Sequence, residues 1–192
     1  MRLIVGMTGA TGSIYGIRLL ERLREAGVET HLVISRWGAR TLLHETTYSR
    51  EQVEALADVA YAQAEMGAAI SSGSFQTDGM IVAPCSAKTL AAIASGFGDN
   101  LIHRAADVVL KERRKLVLVV REAPLSDIHL ENMLKLSRMG TIILPPMPAF
   151  YTHPQSLDDV VDQTVSRILD QFGIDVARAL RWSGELGVGR DD

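Results

Sequence analysis

The stretch RLIVGMTGATGS at residues 2–13 decides the fold. Leu3 to Met7 are continuously apolar, as in a strand covered on both faces, and Thr8 to Gly12 then break the run with glycines and hydroxyls. A segment of helical spacing opens at Ser13, so the reading is strand, glycine turn, helix. Outward from it, the same alternation recurs. Apolar runs at 31–34, 80–83, 116–120 and 141–144 are separated by segments of helical period at 13–26, 36–45, 87–95, 100–113 and 128–139. This pattern predicts the α/β class, with a single doubly wound, mostly parallel sheet flanked by helices. Ser156 precedes Leu157, Val160, Val161, Val165, Ile168 and Leu169 at helical spacing, which predicts a further capped helix. Residues 51–76 are less legible and predict a helix plus a short irregular strand. Residues 1–175 are expected to form one domain, and the polar, glycine-rich 176–192 a partly mobile tail.

Composition narrows the function. The chain has 192 residues, enough to bury a core without staples, and its 47% hydrophobic and 22% charged residues exclude general disorder. With 20 Lys and Arg against 23 Asp and Glu, the net charge is -3. No global field attracts nucleic acid or an acidic membrane, so any anion must be held by a local cluster of cations. The lone Cys85 cannot form an internal disulfide, and no Cys/His spacing suits zinc, so no metal is expected. The longest span free of Asp, Glu, Lys and Arg, 139–157, contains Pro145, Pro146, Pro148 and Pro154 and cannot be a membrane helix. Glycines from Gly6 onward interrupt the N-terminal apolar run too early for a signal sequence, and a cytoplasmic location is expected.

In doubly wound sheets, ligands bind outside the carboxyl ends of the strands. The residues that follow the apolar runs are Gly9, Ala10, Thr11 and Gly12, then Ser35, then Ser86, Ala87, Lys88 and Thr89, then Arg121 and Glu122, and finally the proline loop leading to Tyr151. Glycines, small hydroxyls and cations gather at one edge. The first turn admits close backbone approach, and the helix after Gly12 is expected to point free N–H groups at an anion. The spacing is not GxGxxG, Ser35 stands where a dinucleotide site places an acid, and no Lys-Ser/Thr follows the turn. These features favour a phosphate-bearing ligand other than NAD. Residues 71–74, Ser-Ser-Gly-Ser, form a second candidate phosphate nest. Arg104, Asp107 and Lys111 share one helix face, which reads equally as a salt-bridge stripe. His31, His44, His103, His129 and His153 match no triad or metal spacing, Cys85 reads as a small buried apolar residue, and Trp37 and Trp182 stand without a base-stacking array.

Together these motifs resemble the UbiX-type flavin prenyltransferases. The matching pieces are MTGATGSIYG at 7–16, Ser35 with Glu45 ten residues on, SSGS at 71–74, PCSAKTL at 84–90, the run at 100–137, PPMPAFYTHPQS at 145–156, Arg167, and Arg181-Trp182. The SSGSF form and the Arg-Trp tail are similar to the subgroup associated with hydroxyarylic acid decarboxylases. The resemblance implies a Rossmann-like flavoprotein fold. It implies transfer of a dimethylallyl group from dimethylallyl phosphate to N5 and C6 of reduced FMN, without a metal. The product, prenylated FMN, would serve a UbiD-type decarboxylase acting on aromatic acids.

The resemblance further implies that Gly9, Ala10, Thr11, Ser35, Ser86, Ala87, Lys88, Thr89 and Arg121 hold FMN, the Thr11 hydroxyl contacting N5. Tyr151 and Arg167, helped by Arg104, Lys111 and the Ser72-Gly73-Ser74 turn, would hold the prenyl phosphate. Glu45 and Glu122 would be the acids near the reaction centre. Homo-oligomers, trimers packed into a dodecamer, are expected, consistent with apolar residues at 142–150 and at Met133 and Met139 that would be costly left in water. Two other readings stand beside this one: an FMN-dependent decarboxylase of a cysteine-containing substrate on the same fold, and an FMN-binding accessory subunit without catalysis of its own.

Overall fold

A computed structural model describes residues 1–175 and Gly184. The expected tail at 176–192, Arg181-Trp182 included, otherwise lies outside the described residues. The chain divides into two compact units, Met1–Pro146 and Met147–Asp192. The sequence reading places no boundary inside 1–175, whereas the contacts divide the chain within its proline-rich run. Pro145, Pro146 and Pro148 donate no N–H, so the ladder that could carry the sheet past the short last strand stops there.

In the first unit, six parallel strands, β1 (Arg2–Met7), β2 (Glu29–Ile34), β3 (Val59–Tyr61), β4 (Gly79–Cys85), β5 (Lys115–Val120) and β6 (Ile142–Ile143), lie in the order β3-β2-β1-β4-β5-β6. The order reverses between β1 and β4, which opens a crevice at their carboxyl ends. Five strands stand where the apolar runs predict them. The sixth, β3, is the short irregular strand expected within 51–76, and the helix expected there is α3 (Arg50–Glu54).

The other helices of this unit are α1 (Ser13–Glu25), α2 (Arg36–Glu45), α4 (Ala87–Ser95), α5 (Leu101–Lys111) and α6 (Asp127–Arg138). Side-chain caps start most of them: Ser35, Ser49, Ser86, Asn100 and Ser126 each accept a first-turn N–H of α2, α3, α4, α5 and α6. One core packs Ile4, Met80, Val82, Leu116 and Leu118 of the sheet with Leu90, Ile93, Leu101, Ile102, Ala105 and Val109 of α4 and α5. Cys85 belongs to it, as a small buried apolar residue should, and burial pushes its thiol pKa up to about 12.

The second unit has a 3-10 turn at Phe150–Thr152 and the expected helix, α7 (Leu157–Asp170), opened by a capping box between Ser156 and Asp159. No helix among the described residues is long and apolar enough to cross a membrane.

Candidate functional site

A cavity of ≈ 440 Å³ opens at the switch point. Thr8 and Gly9 follow β1, Ser35 to Trp37 follow β2, Gln63 and Ala64 follow β3, and Ser86, Lys88 and Thr89 follow β4. Asp99, Asn100, Ile102 and His103 close it from the start of α5. Thr8 joins the two central strand ends. Its buried hydroxyl donates to the Pro84 carbonyl at 2.8 Å and accepts the Ser86 N–H at 2.8 Å. Ser86 caps α4, accepting from Thr89 N at 3.3 Å and donating to the Thr89 hydroxyl at 3.1 Å. The N–H groups of Ala87 and Lys88 find no acceptor among the described residues, as expected for the open end of a helix. Gly9 packs so closely that a Cβ there would lie 2.5 Å from Trp37 Cβ.

Five of the expected flavin-binding residues, Gly9, Ser35, Ser86, Lys88 and Thr89, therefore meet on one cavity. Ala10, Thr11 and Ala87 border it in sequence but do not line it, and Arg121 does not line it either. The exposed Arg121 follows β5, held through its N–H to the Cys85 carbonyl at 3.0 Å. Glu122 beside it is exposed and accepts from Ala123 N.

The expectation for the first turn needs correction. The N–H groups of Gly12 and Ser13, offered by the sequence to an anionic ligand, are taken by the Glu45 carboxylate at 2.9 and 3.0 Å. Desolvation, the largest single influence, pushes the Glu45 carboxyl pKa up. Hydrogen bonds from Thr11, Ser13 and Gly12 together outweigh it and hold the group below the usual carboxylate range. Thr11 and Glu45 are thus brought together, and the α1 terminus carries an internal anion in place of a ligand phosphate.

A second cluster lies at residues 71–77. The Ser72 and Ser74 hydroxyls share a hydrogen bond of 2.9 Å, and the Gly73 N–H has no acceptor among the described residues. Arg104 donates through Nε to the Ser71 carbonyl at 3.1 Å and pairs with Asp107 at 2.7 Å, so part of the anticipated salt-bridge stripe is real. Lys111 pairs with Glu112, and this pair occupies the space a Cβ on Gly73 would need. Ser72, Gly73, Ser74, Arg104 and Lys111 are accordingly held as one group. Tyr151 and Arg167 belong to the second unit, where the Tyr151 hydroxyl accepts from Gln163 Nε2 at 3.1 Å and Arg167 pairs with Asp170 at 2.6 Å.

Gln63 and His103 are among the cavity residues that sequence reasoning did not place there. Gln63 accepts the Arg36 N–H through its side chain at 2.7 Å and the Leu101 N–H through its carbonyl at 2.9 Å, tying the starts of α2 and α5 together. Its signal was its place just after β3, in the stretch where the strand itself was hard to see. His103, 4% exposed, stands 2.8 Å from Asp99. Burial lowers the His103 pKa against the opposing pull of Asp99, and Lys88 adds to the lowering. No metal-binding group of three or more His, Cys, Asp or Glu occurs among the described residues.

Capping hydroxyls, open helix N–H groups, Lys88 and a close-packed glycine floor suit a planar ligand that carries a phosphate. Known proteins agree. The family model described as Flavoprotein matches residues 1–169. A probable UbiX-like flavin prenyltransferase of Bacillus subtilis is 63% identical over 184 residues, which cover 96% of this chain and 90% of that one. The dodecameric FMN-dependent UbiX-like decarboxylase of Escherichia coli O157:H7 superposes with a TM-score of 0.95 at 62% identity, over 96% of this chain and all of that one. AnUbiX (PadA1), solved with FMN and dimethylallyl pyrophosphate, superposes with a TM-score of 0.95 at 56% identity, over 96% and 98% of the two chains.

Proposed function

The chain belongs to the flavoprotein family, among its UbiX-like flavin prenyltransferases, and on that premise we propose how its residues divide the work of joining a dimethylallyl group to FMN. Reduced FMN occupies the cavity at the switch point, held by Gly9, Ser35, Ser86, Lys88 and Thr89, with Ala10, Thr11, Ala87 and Arg121 completing its surroundings. Dimethylallyl phosphate is held by Ser72, Gly73, Ser74, Arg104 and Lys111. The observation that carries this reading is the meeting of residues from four strand ends on one cavity.

When bound, the reduced flavin supplies the electron-rich N5 and C6 that the allyl fragment joins. The chain supplies position and charge. As the allylic C–O bond breaks, negative charge grows on the departing phosphate, and fixed cations such as Arg104 and Lys111 lower the barrier without a metal. Each tenfold in rate takes about 1.4 kcal/mol, so a few well-aimed donors supply several decades. Glu45, held below the usual carboxylate range, is ionised at neutral pH and suited to accept a proton rather than to donate one. Thr11 is its hydrogen-bonded neighbour and is assigned the contact with N5, and Glu122 is a second carboxylate for proton transfer.

We further propose that the chain works in the cytoplasm as a trimer-based dodecamer and delivers prenylated FMN to a UbiD-type aromatic acid decarboxylase. The test is transfer of activity. Chain, reduced FMN and dimethylallyl phosphate are incubated without oxygen and the small-molecule fraction is given to a cofactor-free UbiD-type decarboxylase. Recovered decarboxylation is expected. No recovery, with authentic prenylated FMN active in parallel, contradicts the reading.

A further inference from the structure

The turn at 71–77 is held from below by arginine. Arg114 sits between α5 and β5, and its guanidinium donates through Nη2 to the Gly73 carbonyl at 2.7 Å and through Nη1 to the Phe75 carbonyl at 2.8 Å. The Thr77 hydroxyl lies 3.4 Å from the same Nη1. With Arg104 on the Ser71 carbonyl, alternate carbonyls at 71, 73 and 75 are all taken by guanidinium groups. A carbonyl oxygen turned toward an anion repels it. Fixing these three leaves the Gly73 N–H and the exposed Ser72 and Ser74 hydroxyls among the polar groups the turn can offer, with the Lys111–Glu112 pair beside Gly73. Arg114 leaves α5 just beyond Lys111, so one short segment sets both the ammonium and the shape of the turn.

We infer that Arg114 is a positioning residue for the prenyl donor: by gripping the Gly73 and Phe75 carbonyls it holds the turn in the form that accepts a phosphate monoester beside Lys111. The inference rests on the donor-phosphate placement proposed above. Arginine is needed because its planar fork reaches two acceptors at once, whereas a lysine reaches one.

The experiment compares wild-type full-length chain with Arg114→Met, Arg114→Lys and Lys111→Met. Rates are measured against dimethylallyl phosphate at saturating reduced FMN, alongside FMN affinity by fluorescence quenching. Arg114→Met should raise KM for the donor about tenfold or more, the scale of one lost charge-assisted hydrogen bond. Its kcat should stay within about threefold and its FMN affinity within about twofold, the pattern of lost ground-state binding. Arg114→Lys should recover part of the KM, and it decides the matter alone if the Met variant does not fold. An unchanged donor KM in the Arg114 variants, with KM raised in Lys111→Met, overturns the inference and leaves the donor site standing. FMN affinity falling in step with donor KM overturns it also, since the role is then general to the fold. If Lys111→Met leaves KM unchanged as well, the donor placement itself fails.

Discussion

Thr8 shows how one hydroxyl couples packing to the site. It is 2% exposed and bridges the Pro84 carbonyl to the Ser86 N–H, so Thr8→Val keeps the shape and strands the Ser86 N–H, while the Pro84 carbonyl keeps only the Thr8 backbone N–H at 3.2 Å. The cost should be about 2 kcal/mol, readable in chemical denaturation, with weaker FMN binding as the α4 cap loosens. Gly73 makes the opposite case. A Cβ there would meet Lys111 Nζ at 2.7 Å and Glu112 Cδ at 2.8 Å, the far ends of flexible side chains. Gly73→Ala should therefore leave the melting temperature nearly unchanged while displacing the ion pair and raising KM for dimethylallyl phosphate. An unchanged KM would remove Gly73 and its neighbours from the donor site. Glu45 marks the limit of reading residues singly: the glycine turn looked open to a ligand because its acceptor lies 32 residues away from Ser13, at the end of another helix.

Among the elements, the first residues of β1 and β2 form a charged clasp. Arg2 Nε donates to Glu29 at 2.7 Å, and His31 Nε2 lies 3.0 Å from the same oxygen. Arg2, chiefly, and then His31 hold the Glu29 carboxyl down to about 2 from its ordinary 4.5. Because the folded value is the lower, the stabilisation is full above pH 4.5 and is lost as pH falls toward about 2. Melting curves between pH 2 and 6 should show Glu29→Gln less stable than wild type at pH 6, the gap closing toward pH 2. A constant gap would mean the carboxylate charge contributes nothing.

The elements also show what was legible. Long apolar runs such as 116–120 and strongly periodic helices such as α5 read directly, because burial on two faces or one stripe leaves a repeating pattern. The three-residue β3 leaves almost none: Val59 and Ala60 are exposed, and the strand is fixed by pairing with His31, Leu32 and Val33. Gln63 was lost with it. His103 was read as scattered because its partners, Asp99 and the cavity wall, are evident only once α5 is capped at Asn100.

At the scale of the molecule, α6 leaves much apolar surface in view. Leu136 is its one buried residue, whereas Ile128 is 67% and Leu134 51% exposed. Burying each such side chain is worth roughly 1.5–3 kcal/mol, enough to drive assembly when repeated across copies. Light scattering should give a homo-oligomer, and Ile128→Asp combined with Leu134→Asp should shift it to smaller species. A wild-type monomer at working concentration would contradict this.

The central claim, that this chain prenylates FMN in the cavity between β1 and β4, is tested most directly by the mass of the flavin. Purified chain, reduced FMN and dimethylallyl phosphate are mixed anaerobically, the protein is denatured, and the released flavin is weighed by mass spectrometry. One added prenyl unit is the predicted result; FMN of unchanged mass, with an active prenyltransferase run alongside, would contradict it.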